Sequence, residues 1–111
     1  MSYVENVRPR LRVPATAAAG EVVEIRTLIS HPMESGHRTD GEGNPIPRLI
    51  ITTMFATFNG EEVFRAHWGS GIAANPYQAF TLRVDEPGTL EVVWQDEAGH
   101  EWRDSASIAV G

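Results

Sequence analysis

The sequence predicts an all-β domain, an immunoglobulin-like antiparallel β-sandwich of about seven strands that occupies residues 1–111 as a single unit. Three observations predict it. Apolar residues recur at every second position, Gly, Pro, Asn and Asp separate the apolar segments, and no long segment has a helical period. A chain of 111 residues has the length of one domain and can bury a core without disulfides.

The amino-terminal third predicts two strands and one ambiguous segment. Residues 8–13 are predicted to form an edge strand, because Pro9 and Pro14 limit its pairing. Residues 15–20 show the only hint of a helix and are too few to form a stable one alone. Residues 21–30 have the apolar–polar alternation of a half-buried strand. Its inner face is predicted to hold Val23, Ile25, Thr27 and Ile29.

The middle of the chain predicts a hairpin. Residues 49–58 are apolar on both faces and predict a central strand. Asn59-Gly60 tolerates positive φ at both positions and predicts a tight turn, with residues 61–68 as the return strand. Residues 80–84 are predicted to form a further short strand.

The carboxy-terminal third predicts two strands between turns at residues 85–88 and 96–99. In the first strand, at 89–95, Leu90, Val92 and Trp94 point inward. In the second, at 101–110, the inner face is predicted to hold Trp102, Ala106, Ile108 and Val110. We expect the side chains of Trp94 and Phe55 to be buried.

The longest irregular segment is residues 31–47. Connections of this length are uncommon in compact domains and often have a function. Its tip at 40–44 is rich in glycine and charge and is expected to be mobile or hairpin-like. Its anchor at 31–34 is expected to be ordered.

Charge and composition exclude several classes of function. The net charge is −6, all nine basic residues are arginine, and there is no cysteine. Nucleic-acid binding is disfavoured by that charge, and lysine or thiolate chemistry is impossible. No apolar segment reaches the about 20 residues of a membrane helix, and residues 1–13 contain no secretory signal, which taken alone indicates the cytoplasm.

No motif identifies an enzyme, and we predict no catalytic residue, metal or cofactor. The residues offer no nucleophile elbow, and the acidic pairs flank predicted turns. Residues 40–44 lack the ligand spacing of a calcium loop, and Gly69-Ser70-Gly71 lacks the context of a phosphate loop. The alternative function is a small β-sandwich metal or redox protein that uses histidine ligands. Superoxide reductases of this kind combine four histidines with a cysteine, and this chain has the four histidines alone.

Several strings together resemble one known family. They are Arg12-Val13-Pro14, Gly20-Glu21, TLISHPMESG at 27–36, NPIPR at 44–48, FNG at 58–60 with Val63-Phe64, and IAANPY at 72–77. This combination closely resembles SoxZ, the smaller subunit of the SoxYZ carrier of bacterial thiosulfate oxidation, over residues 8–110. LISHPMESG with the later NPY is the specific part of the resemblance.

The resemblance implies a role that composition alone does not. SoxZ-like chains have an immunoglobulin-like fold and pair with a SoxY-like subunit, whose C-terminal cysteine arm carries the sulfur substrate. The pair makes transient contact with the other Sox enzymes in the periplasm. A SoxZ-like chain has no export signal of its own and is co-exported with SoxY, which implies a periplasmic location here. The family assigns no catalytic residue to SoxZ.

The two most specific motifs supply the candidate partner-interface residues. The first motif contributes His31, Pro32, Met33 and Glu34, and the second contributes Asn75, Pro76 and Tyr77. An ordered loop end with Pro, Met and Tyr suits a partner surface. The alternative is that both motifs are structural turns. Met33 and Tyr77 are predicted to supply the apolar contacts, so that truncating either weakens SoxY binding without unfolding the domain.

Overall fold

The computed structural model describes residues 7–69 and 71–111, and it confirms the predicted all-β sandwich. Eight strands form two sheets. In chain order they are β1 (Arg8–Arg12), β2 (Thr16–Ala17), β3 (Glu21–Ser30), β4 (Ile51–Phe58), β5 (Glu61–His67), β6 (Tyr77–Val84), β7 (Gly88–Asp96) and β8 (Glu101–Val110). Among these described residues, no helix is long and apolar enough to cross a membrane.

The smaller sheet has the strand order β1-β3-β6, and both of its pairings are antiparallel. The alternation predicted for β3 is confirmed, because its four inward side chains are all buried. They face the five-stranded sheet, ordered β2-β8-β7-β4-β5. The Thr27 hydroxyl of the smaller sheet contacts the larger sheet and lies 3.7 Å from the Met54 sulfur of β4.

The core lies between the sheets and is closed at one side by stacked rings. The Phe64 and Phe80 centroids are 4.5 Å apart, with nearly parallel planes, and so join β5 to β6. The predicted inward face of β7 is confirmed, since Leu90, Val92 and Trp94 are fully buried. The β-branched and aromatic residues at these positions favour strands and fill the interior.

The Asn59-Gly60 hairpin is confirmed, with positive φ at both residues. Asn59 also ties this turn to the start of β7. Its side-chain oxygen accepts from the Thr89 amide at 3.0 Å, and its amide donates to the Pro87 carbonyl at 3.3 Å. Any Cβ at position 88 would overlap the Asn59 amide, which explains Gly88.

Residues 15–20 contain no helix, in agreement with the expectation that they are too few to form one alone, and Thr16–Ala17 instead pairs in parallel with the end of β8. Two sequence-based predictions are corrected. The strand predicted at 80–84 begins earlier, at Tyr77, because residues 77–79 pair with the end of β3. Phe55 is only partly buried, since it lies on the outer face of β4, where the Arg65 guanidinium sits 4.8 Å from its ring centroid.

The long connection between β3 and β4 is ordered at its base and hairpin-like at its tip, as predicted. An antiparallel bridge joins Glu34 to Leu49, and another joins Thr39 to Pro45. The Asp40 carboxylate accepts from two backbone amides at the tip, at 2.9 and 3.0 Å. Two sequence-based interpretations, of residues 1–6 and of Ser70 in the glycine-rich segment, concern positions outside the described residues.

Candidate functional site

The two family-specific motifs meet in space through a reciprocal pair of hydrogen bonds. The His31 amide donates to the Asn75 side-chain oxygen at 2.9 Å, and the Asn75 amide donates to the His31 carbonyl at 2.8 Å. We call residues 31–34 and 75–77 together the motif junction. Asn75 adopts a φ of 53°, a left-handed conformation that Asn accepts more readily than most residues. The junction therefore fastens the end of β3 to the start of β6.

Met33 is the apolar centre of the motif junction, and it points inward. Its side chain is 5% exposed, and its backbone has a positive φ of 49°. The Ile51 amide donates to the Met33 sulfur at 3.3 Å, so the thioether caps the first residue of β4. The Met33 side chain therefore packs in the core of the chain, and a contact of Met33 with the partner stays a prediction.

His31 is buried beside Met33 and is held in one tautomer. Its Nδ1 accepts from the Met33 amide at 2.8 Å, so the neutral ring carries its proton on Nε2. The ring meets Trp102 edge-on, with centroids 5.8 Å apart. Burial lowers the pKa of His31 to about 4, and the charge of Asp96 opposes that shift. His31 is thus a neutral structural imidazole at pH 7.

Asp96 and His100 form a second polar cluster beneath the same tryptophan. One Asp96 oxygen accepts from the Ala98 and His100 amides, at 2.9 and 2.8 Å. The other lies 2.8 Å from the His100 Nδ1. The Asp96 side chain is fully buried, and these bonds close the turn between β7 and β8. The arrangement is that of a side-chain-stabilised turn.

The histidines do not converge. His31 and His100 both border the Trp102 ring, whereas His37 and His67 are exposed, on the long connection and at the end of β5. Among residues 7–69 and 71–111, no group of three or more His, Asp or Glu is arranged to hold a metal ion. His31 and His100 each use Nδ1 for a bond within the protein.

The remaining junction residues divide between surface and interior. Tyr77 is 58% exposed, and Pro32 and Asn75 are also exposed, whereas Pro76 is buried. One Glu34 oxygen pairs with Arg38 at 2.6 Å. Of the predicted interface residues, Tyr77 alone presents a large apolar side chain to solvent.

Sequence reasoning missed a second surface, next to Tyr77. We call the outward face of the three-stranded sheet the arginine face. In β1, Arg8, Arg10 and Arg12 share this face by alternation, opposite Ser30, Leu28 and Arg26 of β3. Tyr77 of β6 lies opposite Leu28 on its other side. The signal was present in the string RPRLR, where arginine recurs with the period of a strand.

The arginine face contains a shallow groove of about 280 Å³. Arg10, Arg12 and Arg26 line it together with Leu28 and Tyr77. Among the described residues, six of the nine arginines form ion pairs with carboxylates. Arg10 and Arg12 do not, as far as the described part of the chain extends. The groove therefore joins an exposed tyrosine to two guanidinium groups that are available to an external acceptor.

Comparison with known families supports the sequence resemblance. The family model described as Sulphur oxidation protein SoxZ matches residues 11–107 of the 111 in the chain. No curated protein sequence matches significantly.

Comparison with solved structures identifies the same fold in another group of proteins. A superoxide reductase (neelaredoxin) from Ignicoccus hospitalis has a TM-score of 0.70 at 16% identity, over 100% of this chain and 88% of that one. A variant of the same reductase has a TM-score of 0.71 at 17% identity, over 97% of this chain and 83% of that one. A putative superoxide reductase from Thermotoga maritima has a TM-score of 0.61 at 17% identity, over 93% of this chain and 85% of that one. At such identities the likeness shows the fold alone.

Proposed function

Because the chain belongs to the SoxZ family of sulphur oxidation proteins, we propose that it is the non-catalytic subunit of a sulfur-carrier heterodimer. In this proposal its partner is a SoxY-like subunit with a C-terminal cysteine arm. The arm carries the sulfur intermediate covalently, and this chain supports the subunit that bears it. Other Sox enzymes contact the pair transiently.

The observation that carries the proposal is the family match over residues 11–107. The chemistry of the chain is consistent with a supporting role. A covalent sulfur carrier of this type needs a thiolate, and this chain has no cysteine. The partner must therefore supply the sulfur atom to which the substrate is attached.

The same proposal places the heterodimer in the periplasm. In this proposal the SoxY-like partner carries the export signal, and this chain is exported together with it. Cell fractionation with and without the partner gene tests this location. We expect the chain in the periplasm only when the SoxY-like subunit is produced.

The carrier role is tested by co-expression of the chain with the SoxY-like subunit. We expect a stable heterodimer on gel filtration. After exposure of the heterodimer to thiosulfate and the other Sox enzymes, intact mass spectrometry should show an adduct on the partner alone. Two results contradict the proposal: failure of the two chains to associate, or a covalent sulfur adduct on this chain.

Elemental analysis separates the proposal from the histidine-based redox alternative. The superoxide reductase likeness is one of fold, and within the described residues no three or more His, Asp or Glu are grouped so as to hold a metal ion. We expect the untagged heterodimer to contain less than about a tenth of an equivalent of iron, copper or zinc. A stoichiometric metal, lost in a His31→Gln or His100→Gln variant that stays folded, favours the redox alternative.

A further inference from the structure

We propose that the arginine face is the surface that binds the sulfur-carrying partner, and that the partner contacts it with an acidic patch. Tyr77 and Leu28 form the apolar centre of the contact, and Arg10 and Arg12 flank it on β1. The proposal rests on the carrier role proposed above and adds the interface and its chemistry. Four properties of the described residues support it.

The first property is the separation of charge on the molecule. The arginine face carries five arginines, and the acids Glu24 and Asp85 pair with two of them, which gives it a formal charge of +3. The other four arginines and the twelve remaining acidic residues give the rest of the described ranges a charge of −8. Opposite potentials steer two proteins together and fix the side that each presents. Within the described ranges, the arginine face is therefore the side that offers an acidic protein surface an excess of positive charge.

The second property is the set of charges without partners. Arg26 is neutralised by Glu24 at 2.6 Å, and Arg83 by Asp85 at 3.0 Å. Arg10 and Arg12 have no carboxylate within ion-pair distance in the described ranges, although the chain is rich in acid. Their planar forks can each hold a carboxylate of another protein with two parallel hydrogen bonds.

The third property is the composition of the groove. Tyrosine and arginine are enriched among the energetically dominant contacts at protein interfaces, and lysine is depleted there. Here Tyr77 is 58% exposed, beside Leu28 and near the strands that carry Arg10 and Arg26. An apolar centre with a charged rim is the usual anatomy of a protein-binding patch.

The fourth property is the contrast with the outer face of the larger sheet. There Arg65 pairs with Glu62, and Arg103 pairs with Glu91 and Glu101. Arg65 also covers the ring of Phe55. Because Arg65 and Arg103 are both paired with carboxylates on that face, it has no comparable excess of unpaired positive charge for a partner.

The charge balance also favours a protein over a nucleic acid as the occupant. A nucleic acid presents a continuous line of phosphates, and its binding requires basic groups along an extended track. Five of the nine arginines lie on one small sheet, and the charge of −8 on the rest of the described ranges would repel a longer polyanion. An acidic protein patch of limited size suits this geometry.

The test is a titration of the SoxY-like subunit by isothermal calorimetry at about 50 and about 500 mM NaCl, concentrations between which surface charges become strongly screened. The variant Arg10→Gln/Arg12→Gln is compared with Arg65→Gln/Arg103→Gln, which changes the net charge equally on the other sheet. Tyr77→Ala is compared with Val63→Ala, another exposed apolar residue. All four variants should keep the thermal unfolding midpoint within a few degrees, because their side chains lie at the surface.

For the wild type, we expect Kd to rise about tenfold between the two salt concentrations, since rim charges are screened. Arg10→Gln/Arg12→Gln should weaken binding about tenfold at low salt and lose most of that salt dependence. Tyr77→Ala should weaken it about thirtyfold at both salt concentrations. The two control variants should bind within about twofold of the wild type.

Each other outcome overturns the inference in a distinguishable way. Normal binding by Arg10→Gln/Arg12→Gln and Tyr77→Ala means that the partner uses another surface, and the carrier role stands. Failure of the wild type to bind removes the carrier role and the interface together. Micromolar binding of a duplex DNA of about 20 base pairs that is lost in Arg10→Gln/Arg12→Gln assigns the face to nucleic acid instead.

Discussion

The motif junction and the arginine face lie side by side and use their side chains in opposite ways. In the junction, His31 and Met33 point inward and hydrogen-bond to backbone atoms. On the arginine face, Arg10 and Arg12 point outward and find no carboxylate in the described part of the chain. Tyr77 belongs to both regions, as the last junction residue and the exposed ring of the groove.

This difference indicates that the most family-specific motif of a sequence does not have to form its binding surface. HPMESG and NPY are distinctive because a buried histidine, a left-handed methionine and a left-handed asparagine must fit one another. Such constraints demand particular residues. A basic surface requires only that several arginines recur at every second position of a strand. This requirement leaves a weaker signal in the sequence.

The largest effect is expected at Met33. Met33→Ala should lower the free energy of unfolding by about 3 kcal/mol, because it leaves a cavity and removes the sulfur from the Ile51 amide. Val22→Ala, at a site that is 60% exposed, should cost less than about 0.5 kcal/mol. Urea denaturation of both variants measures the difference. Equal, small losses would place Met33 at the surface and return it to the set of partner contacts.

Acidification should lower the free energy of unfolding through His31, by nearly as much as Met33→Ala does. In the folded protein the pKa of His31 is lowered from 6.5 to about 4. Between pH 4 and pH 6.5 the unfolded chain therefore binds more protons than the folded chain. Stability from this group is complete above pH 6.5 and decreases as the pH falls toward 4, by about 3 kcal/mol in total.

The measurement is urea denaturation from pH 7 to pH 4 for the wild type and two variants. His31→Gln should lose stability at neutral pH and show a shallower decrease on acidification. The exposed His37→Gln serves as control and should follow the wild type. A decrease in His31→Gln as steep as in the wild type would assign the pH dependence to other groups.

A smaller effect is expected at Asn75. Asn75→Ala removes the acceptor of the His31 amide and places alanine at positive φ, at a cost of about 2 kcal/mol. Asn75→Asp keeps an acceptor at that position and should cost less than about 1 kcal/mol. Thermal unfolding compares the two. If Asn75→Ala proves as stable as Asn75→Asp, the reciprocal bonds contribute little to joining the motifs.

The smallest effect is expected at the tip of the long connection. Deleting residues 39–43 brings Arg38 next to Asn44, and the Ile46 amide already donates to the Arg38 carbonyl at 2.9 Å. Four residues then form a turn closed by that existing bond. We expect a loss of less than about 1 kcal/mol in unfolding free energy. A loss above about 2 kcal/mol would show that the tip supports the sandwich.

The sequence was sufficient for most of the sandwich because period-two burial and the Asn59-Gly60 turn are local signals. It failed where pairing with distant residues decides the structure. Thr16–Ala17 becomes a strand only because β8 offers an edge, and Tyr77 begins β6 because Leu28 lies opposite. Phe55 is apolar but faces outward, where Arg65 covers it.

The candidate site was predicted less completely than the fold. The sequence identified both junction motifs, but their burial depends on the contact between His31 and Asn75, which are 44 positions apart. The arginine face needs the register of β1 on β3 and of β3 on β6 before its groove exists. Neither register follows from local periodicity.

The most direct test of the account is hydrogen–deuterium exchange of the chain alone and in complex with the SoxY-like subunit. The edge strand β1 borders the groove, so amides in Arg8–Arg12 should gain protection on binding, together with those around Tyr77. Amides at 31–34 should be protected in both states, because the junction is already closed. New protection confined to the 31–47 segment or to β5, with β1 unchanged, would contradict the account.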